Sequence, residues 1–266
     1  MVGQDLDGRV VLVSGSGPGL GKSTAAAVLA AGGRAVVTDL DEERARSTAK
    51  TVDPDGTRTL ALRTDITGDE DCAAAVARIR ERFGRLDGMV HVAAYDTAVG
   101  GLMDEHSLTD WERSAQVNVA GSLRLTRAAV PLIREGGRGG SVVFIGSTSA
   151  VKVRRSSLRM AYGASKAALV AAAHSLCEEL GPDGIRANTV APGFKYGPAV
   201  AKYFRDQSEL RGIPVEGIAD VFREELALRK FATDEDVANT VCFFLSDGAK
   251  SITGQTLYVD GGHFLH

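Results

Sequence analysis

Short apolar runs alternate with longer segments of mixed polarity along most of the chain. Six apolar runs predict strands, at residues 9–14, 34–39, 59–63, 86–92, 141–145 and 186–190. Five intervening segments predict helices, at residues 22–31, 42–51, 70–83, 110–134 and 161–180. Apolar strands separated by helices are typical of a parallel sheet that is covered on both faces. The pattern therefore predicts a doubly wound α/β fold with three layers, α/β/α.

Residues 193–230 break this alternation, because they contain charged, weakly periodic helical stretches and no predicted strand. This length is unusual for a simple connection, so we interpret residues 194–230 as a substrate-binding lid. A helix at 234–245 and a strand at 256–259 then complete the pattern. Since no linker or internal repeat interrupts it, we expect residues 1–266 to form a single domain.

Composition excludes several classes of protein. The 266 residues are 44% hydrophobic and 24% charged, which is the balance of a globular protein with a substantial core. A net charge of -3 gives no electrostatic footprint for nucleic acid. No apolar run approaches the roughly 20 residues that a membrane-spanning helix needs. The acidic N-terminus does not resemble a secretory signal, so we expect a cytoplasmic protein.

Cysteines and histidines give no sign of a metal site. Cys72, Cys177 and Cys242 are widely spaced in apolar helical contexts, which favours buried thiols in a reducing compartment over disulfides. The five histidines show no ligand spacing. We therefore expect no metal.

A glycine-rich segment joins the first predicted strand to the first predicted helix. Gly15, Gly19 and Gly21 form the pattern G-x-x-x-G-x-G, in a place where a pyrophosphate can meet N–H groups at a helix N-terminus. A phosphate-binding P-loop is an alternative, because residues 21–23 match its last three positions. Ser16, however, stands where that motif has its first glycine. A turn without a ligand is the second alternative.

Asp39 ends the second predicted strand, about 20 residues beyond the glycine-rich segment. A carboxylate here can accept hydrogen bonds from both hydroxyls of an adenosine ribose, and it repels a 2′-phosphate. Neither Pro18 nor Leu40 supplies a cation for that phosphate. The position therefore favours NAD over NADP, although a solvated acid at the end of a strand is the alternative.

Tyr162 and Lys166 lie one helical turn apart on the same face of a predicted helix. A free phenol titrates near pH ~10 and a free lysine near ~10.4, so neither is a base at neutral pH. A cation beside the phenol favours phenolate. The pair is thus a candidate for moving a proton to and from an alcohol oxygen, although such pairs also occur by chance on exposed helices.

Together these features resemble the short-chain dehydrogenase/reductase family, which has a Rossmann-like fold. The resemblance covers nearly the whole chain and extends to Asp65, Asn118, Ser147, the pair Pro192-Gly193, and the segment 252–262. It implies that Tyr162 is the general acid/base and that Lys166 binds the nicotinamide ribose and lowers the pKa of the phenol. It implies that Ser147 holds the substrate oxygen, and that Asn118 interrupts its helix and holds a water linked to Lys166.

The resemblance also implies the cofactor site and the assembly. Asp65 and Ile66 are expected to flank the adenine. The full set implied to bind NAD is Gly15, Ser16, Gly17, Gly19, Leu20, Gly21, Asp39, Leu40, Asp65, Ile66, Ala93, Tyr162, Lys166, Pro192 and Gly193. Hydride transfer belongs to the cofactor. A homotetramer is implied, built partly through helices 110–134 and 161–180.

Three departures from the family pattern stand out. The segment 91–94 is His-Val-Ala-Ala where the family commonly has Asn-Asn-Ala-Gly, and His91 is expected to pack rather than to catalyse. Gly197 stands where a threonine often meets the nicotinamide carboxamide. Tyr162 follows Ser147 by 15 positions, and Ser149 would restore the usual interval, so both serines remain candidates.

The surplus residues between strand and helix fall in the basic loop 152–159. Its four cations, which could receive an acidic substrate or simply be solvated, are Lys152, Arg154, Arg155 and Arg159.

The leading hypothesis is an NAD-dependent oxidoreductase acting on a secondary alcohol or its ketone. Apolar residues in the predicted lid suggest a bulky, hydrophobic substrate, such as a steroid, a terpenoid or a ring-degradation intermediate; they are Tyr203, Phe204, Ile213, Ile218 and Phe222. The alternative is a nucleotide-binding relative without turnover, serving as a sensor or scaffold.

Overall fold

A computed structural model describes residues 5–96, 100–104, 107–153, 158–195 and 197–265. Two residues singled out above, Arg154 and Arg155, lie outside this described part.

The strands of the described chain form one parallel sheet. They are β1 (Val10–Ser14), β2 (Arg34–Asp39), β3 (Thr59–Arg63), β4 (Gly88–His91), β5 (Gly140–Ile145), β6 (Ile185–Pro192) and β7 (Thr256–Val259). Their order is β3-β2-β1-β4-β5-β6-β7. The connection from β3 to β4 carries the chain from one half of the sheet to the other, so the crossover point lies between the neighbouring strands β1 and β4, and all carboxyl ends lie along one edge. The predicted doubly wound, Rossmann-like fold is confirmed.

Helices cover both faces of the sheet. They are α1 (Leu20–Ala30), α2 (Glu42–Val52), α3 (Asp69–Phe83), α4 (Ser107–Ser114), α5 (Ser122–Glu135), α6 (Met160–Leu180), α7 (Pro198–Arg211), α8 (Val215–Glu224) and α9 (Asp234–Leu245). Helices α1, α2 and α9 pack on one face, and α3, α5 and α6 pack on the other.

Alternation along β1 explains why the strands are apolar throughout. Val10 and Leu12 belong to the core under α3, α5 and α6, whereas Val11 and Val13 belong to the core under α1 and α9. Successive side chains of a strand point to opposite faces, so a sheet covered on both sides buries every position. The long predicted helix 110–134 is instead three segments, because a π-helical stretch at Ala115–Gly121 separates α4 from α5.

The region interpreted as a lid contains two helices, α7 and α8, as its weak periodicity predicts. It has an apolar cluster of its own, separate from the two cores of the sheet, formed by Phe204, Ile218, Ala219, Phe222, Leu226 and Phe231. Phe204 is fully buried, whereas Ile213 is exposed and stays outside this cluster. Most of the aromatic residues that suggested an apolar cover for a substrate therefore pack against one another.

Within the described chain, none of the helices combines the length and the apolar character needed to span a bilayer.

Candidate active site

The glycine-rich loop lies between the carboxyl end of β1 and the start of α1. The N–H groups of Gly15 and Ser16 donate to the carbonyl of Thr38, at 2.8 and 3.0 Å, which ties the loop to β2. A Cβ on Gly15 would lie 2.4 Å from the Cα of Ala93, and one on Gly21 would lie 2.1 Å from the carbonyl oxygen of Gly15. Only glycine fits either position, so the backbone carries no side chain at these two positions, where the loop meets the end of β4.

Asp39 faces this loop from the end of β2. One carboxylate oxygen accepts from the N–H of Gly17 at 3.0 Å, and the other accepts from the N–H of Asp41 at 3.1 Å. Leu40 is 62% exposed at the rim. The carboxylate is thus fixed at the place where the sequence predicts recognition of a ribose.

Arg44 is a neighbour of Asp39 that the sequence argument missed. Its Cδ lies 3.7 Å from the position of a Cβ on Gly17, and its Nε lies 3.4 Å from a carboxylate oxygen of Asp41. The sequence argument considered cations only at positions 18 and 40. The spacing of Arg44 on the first turn of α2, one helical turn past Leu40, is the signal that could have revealed it.

The ends of β3, β4 and β6 continue the same edge. Asp65 accepts from the N–H and hydroxyl of Thr67, at 2.8 and 2.6 Å, and Ile66 is buried. Ala93 donates its N–H to the carbonyl of Ser14 at 2.8 Å. Gly193 donates to the carbonyl of Val259 at 3.1 Å. The predicted cofactor residues therefore lie along one edge, on both sides of the crossover between β1 and β4.

Gly197, where the family often has a threonine, directly precedes α7 in an extended conformation. Close to it, Lys195 forms an ion pair with Asp234 at the start of α9.

Tyr162 and Lys166 lie on successive turns of α6, as their spacing predicts. Lys166 is buried, its ammonium donates to the carbonyl of Ile145 at 2.7 Å, and it lies 5.5 Å from the centre of the Tyr162 ring. Burial is the main reason that the pKa of Lys166 is lowered to about 8, and the charge of Asp96 opposes that shift. The amine is therefore held between the end of β5 and the phenol.

Ser147, rather than Ser149, faces the phenol. It follows β5 in an extended conformation, and its side chain is close enough to Tyr162 to lower the pKa of the phenol. Its Oγ also accepts from the N–H of Ser149 at 3.1 Å. The carbonyl of Ser149 packs against α6, 2.6 Å from the position of a Cβ on Gly163. The geometry therefore brings together Ser147, Tyr162 and Lys166.

The electrostatics around Tyr162 differ from the expectation. Burial raises the pKa of this phenol, the charge of Arg159 lowers it, the charge of Asp96 raises it, and the hydrogen bond with Ser147 lowers it. The nearby cation that lowers the pKa is thus Arg159, whereas the family resemblance assigns that role to Lys166. The reason is geometric, because the Arg159 guanidinium carbon lies 4.1 Å from the centre of the ring.

Asn118 lies at the centre of the π-helical segment and is fully buried. Its amide donates to Ser165 Oγ at 2.8 Å and to the carbonyl of Tyr95 at 3.1 Å, and it accepts from the N–H of Tyr95 at 2.6 Å. The amide therefore ties the loop after β4 to α6. One lone pair of Asn118 Oδ1 remains for the water that the sequence argument places here.

His91 packs, as the sequence predicts. Its ring stacks on Phe144 with centroids 5.0 Å apart, and Nε2 lies 2.8 Å from Thr126 Oγ1. Burial, assisted by the charge of Lys166, lowers the pKa of His91 to about 3. The imidazole is therefore neutral over the working pH range and belongs to the core.

This edge of the sheet fits a nicotinamide dinucleotide. Helix α1 has no side-chain cap, so its first N–H groups are available to a pyrophosphate beside the bare glycine backbone. Asp39 stands where an adenosine ribose would lie, and the phenol and amine stand beyond the crossover. The described residues contain no group of three or more side chains that could hold a metal ion.

Comparisons with known proteins agree with this geometry. Residues 15–263 match the family model described as enoyl-(acyl carrier protein) reductase. The chain is 33% identical over 262 residues to the 2,3-dihydro-2,3-dihydroxybenzoate dehydrogenase of Escherichia coli, covering 98% of this chain and 99% of that protein. It is 30% identical over 255 residues to the short-chain reductase protein NovJ of Streptomyces niveus, covering 95% and 93%.

A solved structure is similar over almost the full length. The short-chain type dehydrogenase/reductase from Mycobacterium ulcerans has a TM-score of 0.85 and 31% identity, with 97% of this chain and 90% of that chain covered.

The fold, the glycine-rich loop and the phenol-amine pair define a nucleotide-binding oxidoreductase of the α/β class. The chain belongs to the short-chain dehydrogenase/reductase family, as its sequence predicts. Members of this family use a nicotinamide cofactor, NAD or NADP. Membership in this family excludes the P-loop interpretation of the glycine-rich segment.

Proposed function

We propose that this protein is an NAD-dependent dehydrogenase/reductase that interconverts a secondary alcohol and its ketone. The observation that carries the proposal is the juxtaposition of Ser147, the Tyr162 phenol and the buried ammonium of Lys166, which lies 5.5 Å from the centre of the phenol ring and donates to the carbonyl of Ile145. Two hydroxyls that share one small space can hold the same substrate oxygen. Asn118 supports the arrangement from the π-helical segment, through Ser165 on α6.

A nicotinamide dinucleotide, when bound, takes up or supplies the hydride. The chain's own residues handle the proton. In oxidation, the O–H bond of the alcohol breaks and its proton passes to the oxygen of Tyr162; in reduction, the phenol returns a proton to the carbonyl oxygen. Ser147 hydrogen-bonds that oxygen and holds it within reach; Lys166 would bind the nicotinamide ribose, and its ammonium adds positive charge near the phenol.

Asp39 supports NAD as the cofactor. Its carboxylate is held on the N–H of Gly17, where it can accept from both ribose hydroxyls and repel a 2′-phosphate. Arg44 is the opposing feature, since it is a cation on the same side of the loop. Because Asp39 accepts directly from the loop N–H of Gly17, whereas Arg44 pairs with Asp41, we assign the preference to NAD.

The substrate we propose is bulky and hydrophobic, of the steroid, terpenoid or ring-degradation type. The support is a group of exposed apolar side chains on the two loops that meet near Tyr162, namely Leu102, Val151, Val153 and Leu158. Those loops are joined where Gly100 bridges to Arg159. The relative from Escherichia coli is named for a partly saturated ring that carries two hydroxyls and a carboxylate, which accords with a cyclic substrate.

Absorbance at 340 nm, followed with NADH and a panel of ketones, tests this function. We expect turnover with cyclic and aryl-substituted ketones, little with small polyols in the reverse direction, and a higher kcat/KM for NADH than for NADPH. Binding of NADH without turnover across the panel would favour the alternative, a nucleotide-binding scaffold.

We also propose a homotetramer in the cytoplasm. The helices expected to build the tetramer are α5 and α6, and sedimentation velocity at several concentrations tests it; a monomer at all of them would contradict the proposal.

The three cysteines are free, and burial raises the pKa of Cys72 to about 11 and that of Cys242 to about 12. Unreactive buried thiols of this kind accord with a reducing compartment.

A further inference from the structure

Arg159 has a backbone that is fixed from two sides. It directly precedes α6, and it forms a parallel bridge with Gly100 in the loop after β4. The N–H of Gly100 donates to the carbonyl of Leu158 at 2.6 Å, and the N–H of Met160 donates to the carbonyl of Gly100 at 3.2 Å. The backbone of Arg159 is therefore fixed at the mouth of the site.

Its side chain lies against the phenol. The guanidinium carbon is 4.1 Å from the centre of the Tyr162 ring, nearer than the ammonium of Lys166 at 5.5 Å. One terminal N–H group donates to the carbonyl of Asp96. The Nε of Arg159 is buried and has no partner in the described part of the chain. The guanidinium is thus held over the face of the ring.

A guanidinium in this position distinguishes between the two protonation states of tyrosine. The face of a neutral phenol attracts a cation weakly, through its quadrupole. The face of a phenolate carries part of a full negative charge and attracts the same cation more strongly. This difference favours proton loss. An arginine keeps its charge at every pH at which the protein is folded, whereas a lysine does not.

We propose that Arg159 is a positioning residue for catalysis: its stacked guanidinium stabilises the Tyr162 phenolate from the ring face, independently of Lys166. The proposal rests on the proposed function, because it assigns a partner to the same phenol. It explains how a buried phenol can lose its proton, and so become a proton acceptor, even before a positively charged nicotinamide is bound.

The other titratable groups around Tyr162 come from three elements. Lys166 lies on its own helix, one turn away, and Asp96 faces both residues from the loop after β4. His91 faces Lys166 from β4 and is neutral above about pH 3. Ser147, which follows β5, contributes an uncharged hydroxyl. Asp96 is the group that opposes Arg159.

An ultraviolet titration of tyrosinate tests the proposal without any substrate. The titration of Tyr162 is the difference between each protein and the same protein carrying Tyr162→Phe. We expect Arg159→Gln to raise the apparent pKa of Tyr162 by about one pH unit, and Arg159→Lys to raise it by less. The matched control is Arg113→Gln, which removes an exposed arginine 5.0 Å from the ring centre of Tyr95 and should leave Tyr162 unchanged.

The pH dependence of alcohol oxidation gives a second measurement. In Arg159→Gln, the acidic limb of kcat/KM should move to higher pH by the same amount, kcat should recover at alkaline pH, and KM for the cofactor should not change. A loss that is equal at every pH would indicate a merely structural role and overturn the proposal. So would a Tyr162 titration that is unchanged in Arg159→Gln, or in Arg159→Met should the glutamine variant fail to fold.

The two proposals fail differently. If Tyr162→Phe retained full turnover, the proposed function would be wrong, yet the titration would still report whether Arg159 stabilises the phenolate.

Discussion

Two regions of the molecule, the surroundings of α6 and the proposed lid formed by α7 and α8, are built on opposite principles. Around α6, two buried polar side chains are held by directional partners: Lys166 by the carbonyl of Ile145, and Asn118 by Tyr95 and Ser165. In α7 and α8, the buried groups are apolar, and the rings of Phe204 and Phe222 pack on one another without hydrogen bonds being needed. Buried polar groups are costly unless paired, so the first region tolerates one geometry, whereas the second tolerates repacking. Changes near α6 should therefore act on kcat, and changes in the lid on KM.

The largest effect expected is in the region around α6. Tyr162→Phe removes the proton-transfer group while keeping the ring and its packing, and kcat should fall about a thousandfold. The affinity for NADH, measured by fluorescence titration, should stay within a few-fold of the original. Undiminished carbonyl reduction with the cofactor still bound would show that another group moves the proton.

The next effect is on stability and reports the burial of Lys166. Its pKa is about 8 in the folded protein against an ordinary value of 10.5, so the unfolded chain holds more protons between these two pH values. The free energy of unfolding should therefore rise with pH across this window, by up to about 3 kcal/mol. Below pH 8 the cost of burying the ammonium is fully present.

Urea unfolding between pH 7 and pH 10.5 measures this rise, with Lys166→Met as the variant that should lack it. Lys250→Met removes an exposed lysine and is the matched control, which should keep the wild-type slope. Identical slopes in the wild type and Lys166→Met would mean that the amine is not titrating in a buried site.

Parts of this contrast can be predicted from the sequence, and parts cannot. The one-turn spacing of Tyr162 and Lys166 and the apolar run of β1 are local patterns, and local patterns translate directly into a helix face and a strand buried on both sides. The stack of Arg159 on Tyr162 depends on the bridge to Gly100, which brings together two distant segments. No periodicity in the sequence carries that information.

The distinction between local patterns and long-range contacts also explains two features that the hydrophobic pattern does not show. The family resemblance implies that Asn118 interrupts its helix, but the hydrophobic pattern alone does not show it, because one extra residue in a helical turn leaves the hydrophobic period nearly unchanged. The burial of Phe204 inside the lid was missed, because an aromatic residue on an amphipathic helix gives no indication of what it packs against.

A third prediction concerns the cofactor and compares two acids at the same edge. Asp39→Ser removes the carboxylate that faces the glycine-rich loop and leaves Arg44 beside it, so the ratio of kcat/KM for NAD to that for NADP should fall about tenfold or more. Glu42→Gln changes an exposed acid that pairs with Arg46, and it should leave the ratio unchanged. An unchanged ratio in Asp39→Ser would count against NAD recognition by this residue.

The smallest effect should come from the lid. Phe222→Leu keeps an apolar side chain in the aromatic cluster and should lower the free energy of unfolding by about 1 kcal/mol. KM for a bulky ketone should rise a few-fold, and kcat should not change. Steady-state kinetics checks both values, and a fall in kcat equal to that of Tyr162→Phe would erase the distinction between the two regions.

The widened turn at Ala115–Gly121 sets stability and activity against each other. Deleting a single residue there would restore a regular helix of better hydrogen-bond geometry, and it would swing Asn118 about 100° around the axis, away from Tyr95 and Ser165. A shortened chain could thus melt at a higher temperature while being a poorer catalyst. Selection for stability alone would remove the extra residue.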